Sequence, residues 1–81
     1  MTRDEIFATL AGYLADMFEV PPAAITLEAR LYEDLDLDSI DAVDLVVKLQ
    51  ELTGKKIKPD QFKTVRTVGD VVDRVHELVT G

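Results

Sequence analysis

The apolar residues Ile6, Phe7, Leu10, Tyr13, Leu14, Met17 and Phe18 fall at offsets of 0, 1, 4, 7, 8, 11 and 12, the stripe of an amphipathic helix. Thr2 precedes the stripe as an N-cap, with Asp4 and Glu5 in the first turn, where the helix dipole favours anions. Pro21 and Pro22 end it, because proline removes a backbone donor and disfavours helical geometry at Val20. A first helix over residues 3–19 follows. Residues 20–38 keep no period but carry spaced apolar anchors at Ile25, Leu27, Leu31, Leu35 and Leu37. A loop this long in a small chain is packed down by its own side chains or serves a function.

A second helix begins near Asp38-Ser39 and runs to about Leu52, stopped by Thr53-Gly54. Lys55 to Pro59 forms a short basic linker, and Pro59-Asp60-Gln61-Phe62 has the pattern of a single helical turn with proline at its first position. Thr67 caps a last helix carrying Val68, Val71, Val72, Val75, Leu78 and Val79 at helical spacing. Valine has weak helix propensity, so this helix depends on packing. The expected fold is an all-α small four-helix bundle: three main helices plus one short helix, with a long loop between helices one and two. The 81 residues suffice for one domain, 1–81.

The second helix has more apolar surface than one core contact uses. With Ile40 at zero and about 100° per residue, Ala42, Leu45, Val46, Leu49 and Leu52 cluster on one side as a core stripe. Asp41, Asp44, Lys48 and Glu51 form a solvated face. Ile40, Val43 and Val47 occupy a third arc. Either the short helix near residues 59–64 covers that arc, or it stays partly exposed and meets other proteins.

Charge is also uneven. The chain has sixteen acids against nine Lys/Arg, a net of −7, and residues 28–44 hold seven acids against Arg30 alone, a net of −6. Residues 45–66 hold six bases against Glu51 and Asp60, a net of +4. The acidity argues against general nucleic-acid binding, since phosphates are repelled. Acids gathered at one helix start, beside an apolar arc, favour a docking surface for basic partners. There is no cysteine, hence no disulfide, thiolate metal site or cysteine nucleophile. No signal core or membrane-length apolar run is present, so a cytoplasmic location and no membrane span are expected.

Candidate chemistry narrows quickly. Asp34, Asp36 and Asp38 have the opening spacing of a calcium loop, but its sixth position is Ser39 and its twelfth Leu45, so no metal site is expected. The lone His76 has no serine partner in the pattern and supports no triad. The four glycines are scattered and form no phosphate-cradling loop. What remains is Asp38-Ser39-Ile40. It reads as a helix start, with Asp38 as cap, but a phosphate ester on Ser39 would also sit at the positive helix end near unpaired N–H groups.

The run Leu35-Asp36-Leu37-Asp38-Ser39-Ile40-Asp41-Ala42-Val43-Asp44-Leu45-Val46 resembles the acyl carrier proteins, small acidic helical proteins that carry 4′-phosphopantetheine on a serine. The resemblance extends over essentially the whole chain. It implies that Ser39 bears the phosphopantetheine arm, that Asp38 belongs to the cofactor site, and that the chain is a carrier rather than an enzyme. It further implies a partner-binding set of Asp36, Ile40, Asp41, Val43, Asp44 and Val47. Asp36 stands where glycine is common in the family, and Ile40 where leucine is.

The implied partners are a phosphopantetheinyl transferase and enzymes of the acyl-ACP synthetase, ketosynthase, ketoreductase and dehydratase types. The implied cargo is an acyl chain held as a thioester, lodged between helices near Phe7, Leu49, Phe62 and Val75; a monomer is expected. The region from Leu35 to Lys58, with its basic Gly54-Lys55-Lys56-Ile57-Lys58 stretch, looks similar to carriers from bacterial aryl-polyene-type gene clusters. The alternative from another class is a non-acylated helical protein-interaction module with the same bundle.

Overall fold

A computed structural model describes residues 1–58 and 64–80. Three α-helices carry the fold: α1 (Arg3–Phe18), α2 (Ser39–Thr53) and α3 (Val68–Thr80), with a 3₁₀ turn at Pro22–Ala24. The short helix expected from Pro59 lies outside the described residues, as does Phe62.

Each helix starts on a reciprocal cap, in which two side chains accept from each other's backbone N–H. In α1 the partners are Thr2 and Glu5, and in α2 they are Asp38 and Asp41. In α3, Thr67 Oγ1 accepts from the Asp70 N–H, while Asp70 Oδ2 accepts from the N–H groups of Arg66 and Thr67 at 3.0 and 3.2 Å. Those two backbone donors hold the Asp70 carboxyl below the usual carboxylate range.

The core is built from one stripe of each helix. Ile6, Leu10 and Leu14 of α1, Leu49 of α2, and Val68, Val71 and Val75 of α3 are completely buried, and Val72, Leu45 and Val46 nearly so. The valines of α3 thus obtain from packing what their propensity withholds. α3 packs on both other helices, more extensively on α1.

α1 ends one residue before the sequence-based bound. Glu19 adopts a left-handed conformation, φ 56°, and the Val20 N–H reaches back to the Leu14 carbonyl at 3.3 Å. The stop is this backbone reversal, and Pro21 only prevents the chain from resuming.

The long connection is a strap rather than a free loop. Ile25, Leu31, Leu35 and Leu37 are buried as expected, together with Val20 and Ala29. Leu27 departs from expectation: its side chain is exposed, while its carbonyl accepts from the Gly69 N–H at 2.9 Å. A Cβ on Gly69 would lie 3.1 Å from that carbonyl, so glycine permits the approach. Leu31 N–H to Arg66 O and Val68 N–H to Ala29 O complete an antiparallel bridge between Arg30 and Thr67. Behind it, the Arg30 guanidinium and backbone N–H hold the Asp34 carboxyl below its usual range.

The last bend of the strap centres on Asp36, which has φ 56° between the buried Leu35 and Leu37. Left-handed backbone is least costly for glycine and tolerable for aspartate. Asp36→Gly is therefore expected to stay within about 1 kcal/mol of the parent. Asp36→Val is expected to lose about 1–2 kcal/mol, because a branched Cβ crowds the following carbonyl. Urea midpoints measure both, and a valine variant as stable as the glycine variant contradicts the assigned backbone.

Candidate functional site

The end of the strap delivers the chain to the start of α2. Leu37 is buried, and its N–H donates to the Leu31 carbonyl at 3.1 Å. The next residue, Asp38, is extended, and its Oδ1 accepts from the Asp41 N–H at 2.9 Å while Asp41 Oδ2 accepts from the Asp38 N–H at 3.2 Å. Ser39 is thereby the first helical residue. It is exposed, and among the described residues nothing hydrogen-bonds its hydroxyl. It is also the only serine in the chain.

The first intrahelical bond runs from the Ala42 N–H to the Asp38 carbonyl. The N–H groups of Ser39 and Ile40 therefore have no intrahelical acceptor and face outward at the positive end of the helix dipole. A phosphodiester on Ser39 fits this setting: an accessible hydroxyl, two nearby donors and no steric cover. Asp38 and Asp41 play a different part. Their carboxylates are committed to the cap, so Asp41 is half-buried and holds the helix start rather than standing free.

Beyond the cap, α2 leaves an apolar arc in solvent. Ile40 is 71%, Val43 52% and Val47 48% exposed. That resolves the alternatives posed by the sequence in favour of exposure for these three residues. Fully burying such side chains contributes about 1.5–3 kcal/mol each, stabilisation that only a partner can now realise. Asp44 is exposed beside the arc, and Asp36 is exposed in the turn before α2, where it lines a groove with Asp41 and the end of α1, while Lys48 turns aside to Glu51 at 3.5 Å and lies 5.5 Å from the Tyr13 ring centre.

A narrow apolar cleft opens against the first turns of α2, lined by Leu31, Tyr32, Leu37, Ala42, Leu45 and Val46 among others. The residues expected to line the acyl chain occupy two places. Leu49 and Val75 lie completely buried in the core. Phe7 instead lines a separate groove with Arg3, Asp4, Ile25, Leu27 and Val72. The cleft draws in part on the strap, whose irregular spacing gives no periodic signal; only the leucines at 31 and 37 point to it.

Two of the three calcium-loop aspartates are otherwise engaged, Asp34 with Arg30 and Asp38 with the Asp41 N–H, and Asp36 is exposed in the turn between them. Among the described residues no group of three or more His, Asp or Glu side chains could hold a metal. No described helix is long and apolar enough to cross a membrane.

Comparison with known proteins identifies the family. The family described as the phosphopantetheine attachment site matches residues 8–75. Acyl carrier protein 2 of Ralstonia nicotianae is 54% identical over 79 residues, covering 98% of each chain. The acyl carrier protein of Saccharopolyspora erythraea is 39% identical, covering 98% of this chain and 83% of its own. The solved structure of acyl carrier protein from Enterococcus faecalis superposes with a TM-score of 0.78 at 27% identity, covering 95% of this chain and 98% of that one. The chain belongs to the acyl carrier proteins, which are carriers and not enzymes, bear covalent phosphopantetheine and serve synthase-type enzymes.

Proposed function

We propose that Ser39 is the phosphopantetheine attachment site of this carrier, with Asp38 fixing its position. The observation that carries this reading is the exposed, unengaged hydroxyl of the sole serine at the first helical position of α2. When bound, the arm supplies the terminal thiol that the cysteine-free chain lacks and on which an acyl chain is held as a thioester. Loading requires a phosphopantetheinyl transferase, coenzyme A and Mg²⁺. Ser39 Oγ attacks the pyrophosphate phosphorus nearer the pantetheine, the Oγ–P bond forms, and 3′,5′-ADP leaves. The serine proton goes to a base of the transferase, since no described residue of this chain hydrogen-bonds the Ser39 hydroxyl.

The exposed arc supports the rest of the reading. Ile40, Val43 and Val47 form the apolar centre of a docking face, Asp36 and Asp44 its acidic rim, and Asp41 its inner edge. Acyl-ACP synthetase, ketosynthase, ketoreductase and dehydratase types are the enzymes that meet it. The chain works as a single-domain monomer in the cytoplasm, where coenzyme A is available, and its pathway is of the aryl-polyene type that Leu35–Lys58 resembles.

Incubation with coenzyme A and a broad-specificity transferase should raise the intact mass by one phosphopantetheine, and Ser39→Ala should abolish the gain. An unchanged parent mass, or a gain that persists in Ser39→Ala, sinks the assignment. With the same transferase, Asp44→Lys should raise KM about three- to tenfold at low salt with kcat unchanged. The gap should close as salt is added, with helicity unaltered by circular dichroism. A KM that does not move, or a change indifferent to salt, rules out electrostatic docking at Asp44.

A further inference from the structure

The apolar cleft beside α2 has one wall unlike the others. Every residue that lines it is buried except Ala42, which is half-buried, and Tyr32, which is 49% exposed. The mouth of the cleft therefore lies between these two side chains. Ala42 follows Ser39 by three residues and Val46 follows it by seven, so both lie within about 60° of Ser39 around the helix. Ser39 shares their face and precedes Ala42 by about 4.5 Å along the axis.

The backbone on either side of Tyr32 is fixed. The Leu31 N–H donates to Arg66 O at 2.9 Å, the Leu37 N–H to Leu31 O at 3.1 Å, and the Asp34 and Leu35 N–H groups to Arg30 O at 2.9 and 3.1 Å. The Tyr32 side chain itself has no hydrogen bond or ring contact among the described residues. Its ring is the wall that can turn without breaking a bond of the fold, since exposed side chains change rotamer freely. With the ring in place the cleft encloses about 20 Å³, room for about one water-sized group.

We propose that Tyr32 is a specificity-determining residue for cargo: its ring closes the cleft, so that the acyl chain of the loaded protein stays outside the bundle. The proposal rests on the attachment reading at Ser39 and adds what becomes of the chain held there. Apart from the Tyr32 phenol the lining side chains are aliphatic, which suits a hydrocarbon chain. It does not suit the arm, whose amides would lose their hydrogen bonds to water. A chain that displaced the ring would exchange its own burial for the burial of the ring's inner face and gain little. Without the ring that exchange disappears, and burial of the chain becomes favourable. The thioester of the parent protein is therefore open to solvent and to partner enzymes, and truncation of Tyr32 turns the chain into a sheltering carrier.

The test loads the parent, Tyr32→Ala and Tyr32→Phe with acetyl and octanoyl arms from the matching coenzyme A thioesters. Intact mass then follows cleavage of each thioester by excess hydroxylamine, every rate being divided by that of the free coenzyme A thioester. A parent that does not load at Ser39 defeats the attachment reading and this proposal with it; once loading is complete, the remaining outcomes bear on Tyr32 alone. In the parent and in Tyr32→Phe, the two relative rates should agree within about twofold, the mark of a chain sheltered less than half the time. In Tyr32→Ala the octanoyl form should be cleaved about threefold more slowly than the acetyl form, as when two-thirds of the population is sheltered. It should also melt at a higher temperature than the acetyl form. Tyr32→Ser, with an equally short polar side chain, serves as the open form if Tyr32→Ala loses helicity by circular dichroism. Protection of the octanoyl form in the parent overturns the proposal whatever the variants do. Equal cleavage of both forms in the truncated variants also overturns it, as does a Tyr32→Phe that behaves like Tyr32→Ala.

Discussion

The structure turns on one reciprocal contact, the pair of backbone-to-carboxylate hydrogen bonds that joins Asp38 and Asp41. It fixes where α2 begins, and therefore which residue is its first. Buried Leu35 and Leu37 hold the approach from inside, and the left-handed Asp36 bends the chain between them. After Asp38 is fixed as the cap, Ser39 stands outward with two unshared N–H groups beside it. An N-cap contributes about 0.5–2 kcal/mol to stability. Here the same cap also orients two carboxylates toward the backbone of the helix start and leaves the serine hydroxyl in solvent.

Stability and function draw on different faces of α2. Leu45, Val46 and Leu49 are buried, while Ile40, Val43 and Val47 stay in solvent. An exposed apolar arc lowers solubility and adds nothing to folding, which makes it informative about partners. The net charge of −7 works against close approach of two copies of the chain. The small core has no room for a deep enzymatic pocket, and the cleft beside α2 is narrow, as suits a protein that presents its cargo to other active sites.

Much of this was legible in the sequence because it depends on local chemistry. Thr2, Asp38 and Thr67 are side chains that accept from backbone N–H groups, and each opens a helix within a residue of its expected place. The stop at Glu19 was not legible, since glutamate carries no preference for left-handed backbone and the prolines just after it supply a stronger but later signal. Leu27 reads as an anchor by composition, yet its contribution is a carbonyl, which no side-chain pattern encodes. The exposure of Ile40, Val43 and Val47 could not be decided from the pattern, because it depends on whether a segment twelve or more residues further on covers them. The cleft beside α2 was not legible for a related reason: it joins residues of the aperiodic strap, Leu31, Tyr32 and Leu37, to a face of α2.

The central claim is that Ser39, among all the hydroxyls of the chain, carries the arm. Trypsin digestion of the loaded protein followed by fragment mass spectrometry tests it most directly, because cleavage after Arg30 and Lys48 isolates the segment Leu31–Lys48 around the sole serine. The added phosphopantetheine mass is expected on that fragment, with backbone fragmentation placing it on Ser39. Mass added to any other fragment, or to Tyr32 within this one, would contradict the account.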